Sequence, residues 1–218
     1  MTRARSVADT TKTLSVDGGT IKLDGNFPTG TNNVALGDTA LDDGSLSGSH
    51  NTAVGHAALT ANTSGASNTG IGREALAITT TGSNNTAVGK LALYANTTAS
   101  NNTAVGTDAL VTNTTGADNT SVGKSALSAN TTGTRNTGIG FASGFSTTTA
   151  ARNTSVGAYS LYTNTTGDRN QAFGNQALYY NTTGQYNTAV GYASLGNNTT
   201  ADNNVAVGYS SSAANTTG

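Results

Sequence analysis

A glycine returns on a fixed schedule along this chain: Gly37, Gly55, Gly72, Gly89, Gly106, Gly123, Gly140, Gly157, Gly174, Gly191 and Gly208. The first interval is 18 residues and the following nine are all 17. Helical repeats need about twice that length, and no 3.6-residue apolar period runs through the unit. Seventeen residues suit one turn of a β-solenoid, in which each coil stacks on the last and strands pair from coil to coil. The expected fold is therefore all-β, a β-solenoid of the β-roll or β-helix kind.

Other columns keep the same beat. Asn stands four before every motif glycine, as at Asn85, Asn102 and Asn119. The residue just before the glycine is apolar, as at Val88, Val105 and Val122, and the one before that is always Ala, Gly or Ser. Leu follows four after Gly89, Gly106 and Gly123 as Leu93, Leu110 and Leu127; only Gly144 and Ser212 break that column. The unit reads N-T-a-V-G-x-x-a-L-x-x-N-T-T-G-x-x, with a small residue at a. From Asn51 onward every Lys, Arg, Asp and Glu lies one or two after the motif glycine, or five or six before the next. Charges avoid burial, so these two dipeptides are read as exposed corners.

Strand residues alternate in direction, so Val is expected to point into the coil, towards Leu, with the small residue outside. The Asn column suits a ladder of side-chain amides. A motif glycine never replaced along the chain fits a positive φ or no room for a Cβ. The second glycine gives way to Ala99, Ala150 and Ala201, so it needs smallness alone. In the coil lacking its Leu, Phe141 or Phe145 is expected to fill the space. Ten coil intervals make a rod of roughly 50 Å.

Val, Leu, Ile and Phe together number only 34 of 218 residues, little to offset the ordering of each coil. With narrow stripes of small residues for close approach, association is expected, most simply as a parallel homotrimer. Residues 1–33 precede the repeat and read as an N-terminal cap or attachment segment, with a strand at TIKLDGNF and the sole proline, Pro28, after it. Residues 34–218 are the rod, whose last coil is cut short at Gly218, as in a piece of a longer protein or an end that docks.

Composition narrows the function. A net charge of −1 gives no reason to expect nucleic acid. Without Cys there is no disulfide framework or thiolate metal site. No apolar run suits membrane insertion, and the basic start lacks the apolar stretch of a secretory signal. A soluble, cytoplasmically assembled chain without cofactor or metal is expected.

NTAVGxxALxxNTTGxx resembles the repeats of bacteriophage tail-fibre and virion structural proteins, particularly of phages infecting marine cyanobacteria. The lead-in GTIKLDGNFPTGTNNVALGDTAL, residues 19–41, is similar to stretches that introduce such repeats. NTAVG also resembles the N-S-V-A-I-G units of trimeric autotransporter adhesin heads, whose fold is a three-chain left-handed β-roll. The resemblance implies a virion rod assembled in the host cytoplasm, joined to other tail proteins through its N-terminal segment and extending towards the host surface. A bacterial adhesin segment is the alternative, although the seventeen-residue unit is longer than the usual adhesin repeat.

Catalysis finds little footing. His50 and His56 have no recurring carboxylate pair beside them, and Asp168 and Asp202 stand two coils apart, about 10 Å by strand spacing. Asn62, Asn96, Asn113, Asn130, Asn164, Asn181, Asn198 and Asn215 match the N-glycosylation pattern, but the repeat's own polar ladders explain them. Regular threonines make an ice-binding solenoid a competing reading, although an uninterrupted T-x-T file is missing. Arg135, Arg152 and Arg169 share one corner and form either a solvated fan or an anion or partner strip, with Asp168 as counter-charge. Tyr179, Tyr180 and Tyr192 belong to a tyrosine-rich last third that could face the sugar rings of a host glycan, and Tyr162 and Tyr179 share a column.

Overall fold

The computed structural model describes the backbone of residues 14–16 and 19–21 and the chain from 31 to 216. Most of the proposed cap, Pro28 and most of TIKLDGNF lie outside the described residues. β1 (Leu14–Val16) and β2 (Gly19–Ile21) pair antiparallel, Leu14 opposite Ile21. Eleven three-residue strands follow, from β3 (Val34–Leu36) and β4 (Thr52–Val54) at the repeat interval to β13 (Val205–Val207). They form one all-parallel sheet in sequence order. Thr86 pairs with Thr103, Ala87 with Ala104 and Val88 with Val105, and each successive pair keeps that register. Each seventeen-residue unit is one rung of a β-solenoid, and no helix occurs among the described residues.

The rest of each coil is a chain of turns. Ala109 N–H donates to Gly106 O at 3.3 Å and Asn113 N–H to Leu110 O at 3.2 Å, closing successive turns. Besides the motif glycine, three residues per coil adopt left-handed φ: the one before the ladder Asn (Asp118, 61°), the one two after the glycine (Asp108, 58°) and the Leu itself (Leu110, 50°). β-branched residues are outliers there, which explains why the column holds Leu and never Val or Ile.

The strand faces the opposite way to the expectation. Ala87, Ala104 and Ser121 are fully buried, whereas Val105 and Val122 are each 36% exposed and Val88 is half-buried. Size decides it. The arm's Leu already fills the coil: a Cβ on Gly70 would lie 3.4 Å from Leu59 Cγ, and one on Gly138 would press to 2.8 Å from Leu127 Cγ, so nothing larger than Ala or Ser fits inside. The small stripe is therefore unavailable for close approach by another chain, and the large apolar stripe lies outside.

The Phe expectation also fails. Phe141 is 44% exposed and Phe145 stacks on Tyr162 outside the coil. A Cβ on Gly144 would meet Leu127 Cδ2 at 2.8 Å and Ser155 Oγ at 3.3 Å, so neighbours from the adjoining coils close the gap. Ser143 Oγ bonds Ser155 O at 2.8 Å, Ser155 Oγ at 2.7 Å and Ser160 Oγ at 3.1 Å. This hydroxyl network separates the apolar core into one cluster ending at Leu127 and another starting at Leu161.

Two asparagine ladders and a threonine ladder tie the rungs. Asn119 N–H donates to Asn102 Oδ1 at 3.0 Å, and Asn102 N–H to Asn85 Oδ1 at 3.0 Å. Nδ2 of Asn85, Asn102 and Asn119 donates to the carbonyls of Ala99, Gly116 and Gly133. The Asn of N-T-T forms the second ladder, Asn130 Nδ2 bonding Asn113 Oδ1 at 2.7 Å and Gly133 O at 3.1 Å. Thr97 and Thr114 each donate their hydroxyl to the Thr carbonyl of the next coil.

Buried Oδ1 atoms lack a partner at Asn62, Asn130 and Asn198. Above the first two the column carries Thr79 and Thr147 in place of Asn, so the ladder stops. Thr147→Asn supplies the missing donor to Asn130 Oδ1. It is expected to raise stability by about 1 kcal/mol, read as an upward shift of the thermal or urea midpoint.

Candidate functional site

The outward face of the long sheet is its most extended surface. Thr and Val alternate with the buried small residue, so both project outward. Thr52, Thr69, Thr86, Thr103, Thr120, Thr137 and Thr154 form one file, which Gln171 interrupts before Thr188. Beside it runs Leu36, Val54, Ile71, Val88, Val105, Val122, Ile139, Val156, Phe173, Val190 and Val207. The apolar file is half-buried to exposed along its length, with Ile139 at 40%. Contiguous apolar surface on this scale marks an interaction site more often than a bare monomer surface.

The arginine corner is mixed. Arg135 Nε lies 3.8 Å from Asp118 Oδ2, an exposed pair worth little. Arg169 Nη1 donates to the Tyr186 hydroxyl, and its guanidinium lies 5.1 Å from that ring's centroid. Asp168 makes no ion pair with this strip among the described residues, and its Oδ1 accepts from Ala151 N–H at 2.7 Å. Asp202 Oδ1 does the same for Gln185 N–H. All three arginines hold left-handed φ, from 56° to 59°, because each occupies the turn before the ladder Asn.

Aromatic residues gather on the last coils. Phe145, Tyr162 and Tyr179 stack rung on rung, with centroids 5.3 and 5.1 Å apart. Tyr180 meets Tyr179 edge-on at 4.6 Å, and Tyr192 stacks on Tyr209 at 5.2 Å. Burial, then the Tyr162, Tyr180 and Tyr159 phenols, push the Tyr179 phenol above its ordinary range, so it stays neutral. A cleft of about 230 Å³ opens beside Tyr179 and Tyr180. The tyrosine clustering is visible in the sequence. The gap that opens it, Gly196, is missed because an isolated glycine between Leu195 and Asn197 resembles an ordinary turn residue.

The glycosylation-pattern asparagines from Asn62 to Asn198 are fully buried, so the folded coil withholds them from a modifying enzyme. His50 bonds Asn32 at 3.2 Å, and His56 lies 3.9 Å from Asp38 on an open surface. No group of three His, Cys, Asp or Glu side chains that could hold a metal occurs among the described residues. No described helix is long and apolar enough to cross a membrane. Comparison with protein-family models, curated proteins and solved structures finds no match to this chain.

Proposed function

We propose that the chain is the rod of a phage tail fibre or similar virion appendage, a parallel homotrimer that spaces a host-contacting end from the particle. The observation that carries this reading is the in-register stack of eleven rungs, tied by three side-chain ladders, with one continuous apolar file left uncovered. Its task is mechanical. Bending the rod means stretching bonds in every rung on one side at once, so stiffness follows from the ladders and needs no cofactor or catalytic step. The resemblance of the repeat to tail-fibre units supplies the biological setting, with the N-terminal segment joining other tail proteins.

The trimer rests on the Val file. Three copies with this face towards a common axis would cover the stripe along the whole rod, and the thin side chains of Val and Thr permit close packing. The same face displays a regular hydroxyl and methyl array, which favours ice binding as the second reading.

The experiments separate these. The assembled protein is expected at three times 21.6 kDa in solution, and in purified virions. Val105→Lys with Val122→Lys places cations in the shared face and is expected to give the monomer mass with the coil fold kept. A wild-type chain that is monomeric would remove the trimer, and thermal hysteresis in that monomer would favour the ice-binding reading.

A further inference from the structure

The column five after the motif glycine carries Phe145, Tyr162 and Tyr179 on consecutive rungs, and then Gly196. Each ring is covered by the next until Tyr179, whose own neighbour has no side chain. The vacated rung is the cleft of about 230 Å³, lined by Gln176, Tyr179, Tyr180, Ala193, Gly196 and Asn197. Tyr179 forms its floor. Tyr180, at 77° to that ring and 52% exposed, forms an upright wall. The side-chain amides of Gln176 and Asn197 stand at the rim and bond no other described residue.

This is a site for one flat, neutral, hydroxylated ring. The negative face of an aromatic ring attracts weakly positive C–H groups, and a pyranose presents such a face with its hydroxyls around the edge. Amides both donate and accept, which suits hydroxyl groups. No lining residue is charged, so nothing there recognises a phosphate or a sugar acid. The cleft is smaller than the roughly 300–1,000 Å³ of pockets enclosing drug-sized ligands, which fits a single ring. The stack has already shown the spacing at which a ring sits on this column, 5.1 to 5.3 Å.

We propose that the rung left vacant at Gly196 binds one neutral pyranose residue of a surface glycan, seated on Tyr179 against Tyr180 and held at its hydroxyls by Gln176 and Asn197. The proposal deepens the host-attachment reading and rests on it only for the ligand's origin; binding in solution is measured without virions, so either can fail alone.

The full chain is titrated with methyl glycosides of glucose, galactose, mannose and N-acetylglucosamine, followed by tyrosine fluorescence, since there is no Trp, and by saturation-transfer NMR. At least one glycoside is expected to bind saturably, with Kd on the order of 1 mM. Gly196→Tyr, which extends the stack into the cleft, and Tyr180→Ala are each expected to weaken binding about tenfold or more. A Cβ at Gly196 meets Ala193 O at 3.0 Å, so circular dichroism accompanies that variant, and Tyr180→Ala decides the matter if the first misfolds. Absence of saturable binding by any of these glycosides overturns the proposal. So does unchanged affinity in a folded Gly196→Tyr protein, in Tyr180→Ala, or equal binding of adenosine.

Discussion

Gly123→Ala is expected to destabilise the rod by at least ~4 kcal/mol, the range reserved for named structural failures. Two penalties coincide at this glycine. Its φ is +133°, a conformation that L side chains rarely adopt, and a Cβ would lie 2.4 Å from Gly140 O and 2.7 Å from Gly140 C. The obstructing atoms are backbone of the next coil, held by the Gly140 N–H bond to Val122 O at 2.8 Å. They cannot swing aside as a side chain would. Yielding would mean opening one rung against its neighbour, and the damage would spread because each repeat is stabilised by the repeats it touches. The result is read as a fall in the thermal midpoint with proteolysis starting near the altered coil. Gly44→Ala is the control: its added Cβ meets nothing within 4 Å, and it is expected to stay within about 0.5 kcal/mol of the wild type. Equal behaviour of the two variants would remove the stacked-glycine account.

Much of this was legible from columns of letters, and the glycines show why. A motif glycine that is never exchanged reports a condition no other residue meets, here a positive φ beneath the next coil's backbone. The second column admits Ala99, Ala150 and Ala201 although a Cβ there comes as near the next coil's backbone, 2.3 Å from Gly133 O at Gly116; its glycines lie outside the left-handed region, so the positive φ is what separates the two columns. The direction of the strand was harder. Thr-Ala-Val alternates identically whichever face is turned in, and a one-residue change of register exchanges every side chain between faces. Hydrophobicity argues for Val inside, while the unbroken smallness of the middle position argues for Ala. Volume wins, because Leu110 and Leu127 arrive from the opposite arm and leave no room for a second large residue. The gap at Gly144 was legible but its filling was not: Ser143, Ser155 and Ser160 come from two successive coils and meet only once the rungs are stacked. The outward Val file bears on association too, since the apolar surface another copy could cover is the large stripe.

Asn119→Ala tests the ladders and is expected to cost about 2–4 kcal/mol, from an orphaned donor and a small cavity together. Asn119 is fully buried. Its Oδ1 accepts from Asn136 N–H at 2.9 Å, and its Nδ2 donates to Gly133 O at 2.9 Å. Gly133 O keeps the bond from Asn130 Nδ2 at 3.1 Å, so that carbonyl is not stranded. Asn136 N–H loses its partner and cannot reach water. Asn119→Asp separates the donor role from shape. The introduced carboxylate still accepts from Asn136 N–H but sets a negative oxygen against Gly133 O, so the folded state favours the protonated acid and its pKa rises on folding. The penalty is then complete above the folded pKa and fades as pH falls towards the unfolded value of about 3.9. Urea midpoints for Asn119→Asp relative to wild type should therefore improve on acidification, whereas those for Asn119→Ala should not. A parallel pH response in the two variants would mean that the amide donor does no work and that packing alone aligns the rungs.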